Sequence, residues 1–200
     1  MEKNRGRVHP LPTEEIPQEI QDYVKKIPGE GRLGKNAPIN GIASIAHGGE
    51  VSAEFLRYWS EAFSAFELSR RNVEIIILRC CVKRESDYVW GHHIPLAKEA
   101  EMTDEEIMEV TKKGNKLPQL EQTLMKATDE ILDTSDISES TWSLLTKHFN
   151  TRQIVEIFHI VSQYVFFITI GNTFGIELEP ELKELPKSVP SITKPSKDVL

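Results

Sequence analysis

Between Val51 and Glu67 the large apolar side chains return every three or four residues, so Phe55, Trp59, Phe63 and Phe66 fall on one helix face. That stripe predicts a packed core face. The helical period continues to residue 174. Ser69 can cap a helix from Arg70 to about Lys83, and Ser86 or Asp87 can start another to about Ala100. Thr103 and Glu106 form a T-x-x-E capping box for a helix to Lys113, with Gly114 as its stop. Further helices are predicted near 118–133, 138–149 and 151–174, with Ser138 and Asn150 or Thr151 as caps and Gly175 as the last stop. No segment alternates with the period of two that a strand needs.

The two ends read differently. The first forty residues are rich in Pro and Gly (Pro10, Pro12, Pro17, Pro28, Gly29, Gly31, Gly34, Pro38), which predicts an arm with one short helix near 14–26. From Glu179 onward, Pro180, Pro186, Pro190 and Pro195 punctuate a polar tail expected to be extended or disordered. The expected organisation is an arm over 1–39, a helical domain over 40–178 and a tail over 179–200. The fold class is all-α, a helical bundle with an extended N-terminal arm and an irregular C-terminal tail.

Charge narrows the partners. With 24 basic against 31 acidic residues the net charge is −7, and no basic segment supplies the footprint that nucleic acid requires. The apolar stretch Ile157 to Ile170 carries His159, Ser162, Gln163 and Thr169 and falls short of the ~20 apolar residues of a bilayer crossing, so it reads as a core helix and no membrane partner is expected. The N-terminus has no apolar secretory core. The two cysteines, Cys80 and Cys81, are adjacent, a poor geometry for a disulfide, and a reducing cytoplasmic location fits them.

Candidate chemistry begins with Glu74. It sits in VEIIILRCCV, where nearly every neighbour is apolar, and a buried carboxylate is costly unless something answers it. The next helix, SDYVWGHHIPLAKEA, offers His93 on one face with Ser86 and Val89 and close to Trp90 and Ala97. A carboxylate against an imidazole fixes the tautomer, which is how a general base is built. The same pairing also serves as a hydrogen bond that only fixes helix packing. Both readings stand at this level.

The order EIIILR (Glu74 to Arg79), SDYVWGHHIPLA (Ser86 to Ala97) and MTDEEI (Met102 to Ile107) resembles the carboxymuconolactone decarboxylase and alkylhydroperoxidase-D-like family. The segment TRQIVEIFHIVSQYVFFITIGNTFGI is similar to the closing helix of its longer members, so the likeness spans about 40 to 178. In the peroxidase branch the motif is a glutamate, a C-x-x-C dithiol twelve residues on, and a histidine four residues after the second cysteine. Glu74, Ser86, Val89 and His93 fall at those spacings. Serine and valine can neither attack a peroxide nor resolve the product, so hydroperoxide reduction is disfavoured. What the resemblance implies is cofactor-free decarboxylation or isomerisation of a small lactone or carboxylic acid, with His93 and Glu74 as the candidate catalytic pair. It also implies a homo-oligomer: dimer, trimer or hexamer. The competing reading is a non-catalytic binding or assembly protein.

Other residues carry two readings each. Tyr88 and Trp90 suit a pocket wall or interhelical packing. Glu156, His159 and Gln163, at spacings of three and four, form a polar stripe that either lines the pocket or makes a network at a subunit contact. Ser86, Val89, Tyr88, Trp90, His159 and Gln163 are therefore the candidate substrate-binding residues. Cys81 shares the helix face of Glu74, yet a free cysteine is more commonly a small buried hydrophobe. His92 points about 100° from His93, toward the surface or a subunit contact. The vicinal histidines lack the companions of a zinc site, and no metal or other cofactor is expected.

Overall fold

The computed structural model describes residues 6–25, 39–182, 189 and 191–192, and every regular element among them is helical. These residues fall into two compact units. One contains the chain up to Phe66 and the residues from Thr169 to Leu182; the other contains Glu67–Ile168 with Val189, Ser191 and Ile192.

In the first unit, α1 (Gln18–Val24), α2 (Asn40–Ile45) and α3 (Gly49–Ala65) are joined by the end of α9 (Thr151–Phe174). The helix expected near 14–26 is interrupted. A 3-10 turn covers Thr13–Glu15, and Pro17 forces Ile16 into an extended conformation (ψ 127°) before α1 can begin. Gln21 spans the break by donating to the carbonyls of Thr13 and Ile16 at 3.1 and 2.9 Å. Lys26, and the prolines and glycines between 28 and 38, lie outside the described residues. The described part of the arm is held by backbone bonds from Arg7 N–H to Phe174 O (2.9 Å) and Leu11 N–H to Ala43 O (3.2 Å). α2 is a short helix that the sequence reading passed over. It is separated from α3 by a 3-10 turn over Ala46–Gly48, after which Gly49 takes a φ of +58° that suits glycine. On α3, Trp59 and Phe63 are buried and pack edge to face at 5.8 Å, while Phe55 and Phe66 are half-buried.

The second unit is organised around α4 (Arg70–Arg84). Every residue from Val73 to Cys81 is buried, as an all-round apolar sequence demands. Ser69 caps it by accepting from Asn72 N–H at 3.2 Å, and it ends at Glu85 in a left-handed conformation. α4 packs against α5 (Asp87–Glu99) and α7 (Gln119–Thr134); α6 (Asp104–Glu109) packs on α5, and α8 (Glu139–His148) on α7.

Three ion pairs set the register of α4 on α7. Arg71 meets Glu121 at 2.7 Å, Arg79 meets Asp129 at 2.7 and 2.6 Å, and Lys83 meets Asp133 at 2.7 Å. Each pair is separated by fifty positions, so the two helices run parallel and in step. Arg79 is buried and donates a further bond to Val110 O at 2.8 Å. Arg71 also forks onto Glu106 at 2.6 and 3.2 Å. Glu106 in turn completes the expected capping box, accepting from Thr103 N–H at 2.9 Å while its own N–H donates to Thr103 Oγ1 at 3.2 Å.

α6 stops at Glu109, short of Lys113. The next amides bond three residues back, Thr111 to Met108 and Lys112 to Glu109, and the Thr111 hydroxyl also takes the Met108 carbonyl, which tightens the chain out of the α-helix. α9 has the expected bounds and is capped by Asn150, whose Oδ1 accepts from Gln153 N–H at 2.9 Å. Its 24 residues are long and apolar enough to cross a membrane, more than the stretch singled out from the sequence, but half of its most apolar window is buried inside the protein. Most of the proline-marked tail lies outside the described residues, although Pro180 opens a 3-10 turn to Leu182 and Val189 is buried.

Two consequences are measurable. Asp129→Ala strands the buried Arg79 guanidinium and is expected to lower the unfolding free energy by about 3 kcal/mol, whereas Arg79→Met with Asp129→Leu recovers most of it in denaturant titrations. Arg71 holds the Glu106 carboxyl below its ordinary value of 4.5, with the Thr103 N–H adding to the effect. A carboxyl depressed in the folded state stabilises above its unfolded value and loses that contribution as pH falls through the folded one. Stability should therefore decline as the pH drops below about 4.5, and Glu106→Gln should flatten that acid limb.

Candidate active site

The centre of the second unit carries a carboxylate with no solvent access. Glu74 is fully buried on α4, and its Oε2 lies 2.7 Å from Nδ1 of His93 on α5. With Glu74 ionised the carboxylate can only accept, so His93 Nδ1–H donates, and in the neutral ring the lone pair is then on Nε2. The other carboxylate oxygen lies 3.5 Å from Arg70 Nη2, one turn earlier on α4. Tyr164 of α9 closes on the imidazole edge to face, with ring centroids 4.9 Å apart. His93 keeps 8% of its side chain accessible against none for Glu74, so the imidazole is the more accessible member of the pair.

Local chemistry explains why the ring is held there. Ser86 is the cap of α5 and accepts from Val89 N–H at 3.5 Å, which starts the helix one turn before Trp90 and two before His93. Ser86, Val89, Tyr88 and Trp90 are all buried in this part of α5. Tyr88 stacks obliquely on His92 at 4.8 Å, and His92 is half-buried. Trp90 Nε1 and both polar atoms of the Gln163 amide are buried and have no hydrogen-bond partner among the described residues.

The polar stripe of α9 does not act as one network. Glu156 is buried and accepts from the backbone N–H groups of Glu67 (3.0 and 2.9 Å) and Leu68 (3.0 Å), while Arg152 donates to it at 3.2 Å. It holds the turn into α4. His159 is exposed, and Gln163 is buried beside Tyr164. A carboxylate offered to backbone amides ahead of a helix start is a long-range pairing that spacing cannot reveal. Arg70 was likewise passed over, although its position four residues before Glu74 on one helix was a legible signal.

The cysteines are inert in this setting. Cys80 and Cys81 are both fully buried, and burial pushes the Cys80 thiol up to about 12; that of Cys81 is also raised, by burial first and then by the negative groups near it. Among the described residues no three His, Cys, Asp or Glu side chains are grouped as metal ligands.

Residues 49–113 match the carboxymuconolactone decarboxylase family. The match covers about a third of the chain. It contains Glu74, Ser86, Val89 and His93. No curated protein is a significant sequence match to the chain. Among solved structures, the debrominase Bmp8 without ligand has a TM-score of 0.72 at 13% identity, over 92% of this chain and 97% of that one. The same debrominase with a cysteine-to-alanine substitution, in complex with 2,3,4-tribromopyrrole, has a TM-score of 0.72 at 13% identity, over 88% and 93%. An uncharacterised peroxidase-related protein from Silicibacter sp. TM1040 has a TM-score of 0.71 at 15% identity, over 92% and 98%. At these identities the likeness is one of fold, an all-helical architecture.

Burial of the thiols has a direct readout. Neither cysteine should react with an aromatic disulfide reagent in the folded protein, and both should react at once in denaturant; rapid labelling of the native chain would contradict the thiol environment described.

Proposed function

We propose that the chain is a cofactor-free acid–base catalyst that decarboxylates or isomerises a small lactone or carboxylic acid, with His93 as the proton-transferring group. The observation that carries this reading is the 2.7 Å bond from a fully buried Glu74 to a ring that retains some solvent access. Glu74 orients the ring and fixes its tautomer, and Nε2 moves the proton. In an isomerisation Nε2 takes the proton next to a substrate carbonyl, and the imidazolium returns it to the neighbouring carbon. In a decarboxylation Nε2 first takes the proton of the carboxylic acid, the bond to CO2 then breaks with its electron pair passing into the adjacent carbonyl system, and the imidazolium returns the proton to the carbon left behind. Tyr88, Trp90, Ser86, Val89 and Gln163 form the surroundings of the substrate. The buried Trp90 Nε1–H and Gln163 amide are groups that a substrate oxygen would satisfy.

The family match over residues 49–113 supports this class of chemistry, and so does a fold neighbour in complex with a small ring compound. Thiol-dependent peroxide reduction draws no support from Cys80 and Cys81, both sealed and held protonated. In this reading the protein works as a homo-oligomer on a small-molecule substrate.

The test is a screen of γ-lactone acids and α-keto acids followed by substitution. His93→Gln should cost about 10²- to 10⁴-fold in kcat, the usual contribution of a general acid–base, with the helical circular dichroism unchanged. Turnover that survives in a folded His93→Gln protein would overturn the assignment.

A further inference from the structure

Three helices meet at one imidazole. His93 stands on α5, Glu74 reaches its Nδ1 from α4 at 2.7 Å, and Tyr164 comes from α9 with its ring centroid 4.9 Å from that of the imidazole and its plane turned by 83°. The two contacts differ in kind. A hydrogen bond fixes one ring atom and decides which nitrogen carries the proton. It leaves the torsion that turns the ring loosely defined, because that torsion has a broad energy profile and hydrogen bonds tolerate a range of approach angles. The direction in which Nε2 points therefore needs a second constraint.

Tyr164 is placed to supply it. Its side chain is buried, and so are Ile160 and Ile168, one turn to either side of it on α9. Phe167 packs on the Tyr164 ring at 6.0 Å. A flat ring held edge to face in a packed interior leaves the imidazole less room to rock than a flexible side chain of similar bulk would. For a proton-transferring group this matters more than for an ordinary core residue, since a misplacement of about 1 Å can cost on the order of 10²-fold in rate. We propose that Tyr164 is a positioning residue: it fixes the tilt of the His93 ring, and with it the aim of Nε2, while Glu74 fixes the tautomer. This assignment rests on the reading of His93 as the proton-transferring group.

The experiment follows the His93 ring in the full-length protein by 13C relaxation and 15N shifts, on the protein alone. In the native protein the ring should be as rigid as the α5 backbone, and the 15N shifts of the neutral ring should report hydrogen on Nδ1. Tyr164→Phe, which keeps the aromatic ring, should preserve both. Tyr164→Met, which keeps apolar bulk without a flat ring, should drop the order parameter of the imidazole from about 0.85 to below about 0.6. It should leave the proton on Nδ1, because Glu74 is unchanged. With a substrate found in the lactone and keto-acid screen, Tyr164→Met should lose about tenfold or more in kcat with KM near native. A ring as rigid in Tyr164→Met as in the native protein, or a native kcat in that variant, would overturn the role of Tyr164. So would a ring already mobile in the native protein, a result that needs no variant and stands even where Tyr164→Met fails to fold. Failure of the underlying reading is distinguishable: there, His93→Gln leaves turnover intact while the order of the His93 ring still depends on Tyr164.

Discussion

A carboxylate with no water has to be answered by the protein, and in this chain that requirement organises the second unit. Glu74 sits in the middle of α4, a helix so apolar that it is buried on all sides from Val73 to Cys81. An unpaired charge there would cost several kcal/mol. His93 supplies the first answer at 2.7 Å and Arg70 the second at 3.5 Å. Because α5 must deliver the imidazole to that point, its start at Ser86 and its packing against α4 are constrained together.

The same helix also has to seat three of its cations against acids of α7. It does so by running parallel to α7 with a constant offset, so that acids at 121, 129 and 133 meet bases at 71, 79 and 83. One face of α4 therefore locks the bundle, and the opposite face carries the reactive pair. This division keeps the structural charges away from the imidazole. It also explains why the buried thiols on α4 contribute packing and no redox chemistry: they are surrounded by apolar groups and by negative charge, both of which disfavour a thiolate.

Much of the helical framework was legible in the residues. Ser69, Ser86, Ser138 and the Thr103–Glu106 box each cap the helix they were expected to start, because a cap bonds within three residues and leaves a local signature. The misjudged bounds also have local causes, in Pro17 before α1 and in Thr111 after α6. Long-range pairs left no comparable trace. The attachment of Glu156 to the amides of Glu67 and Leu68 spans more than eighty positions, and a polar residue within an apolar helix announces only that some partner exists.

For Glu74 the sequence alone determined that a charge would be buried and that the following helix carried a candidate partner, since both follow from hydrophobic periodicity. The family resemblance, not spacing by itself, marked Ser86 and Val89 as the positions where a dithiol would stand, and the sequence has no cysteine at either. Only the tertiary structure decided which atoms meet, that the imidazole retains access while the carboxylate has none, and that Arg70 stands at the outer edge of the pair. The physical reason is that burial and helix period are properties of neighbouring residues, whereas distance and accessibility at a site arise from the packing of helices whose contacts are spread across the chain.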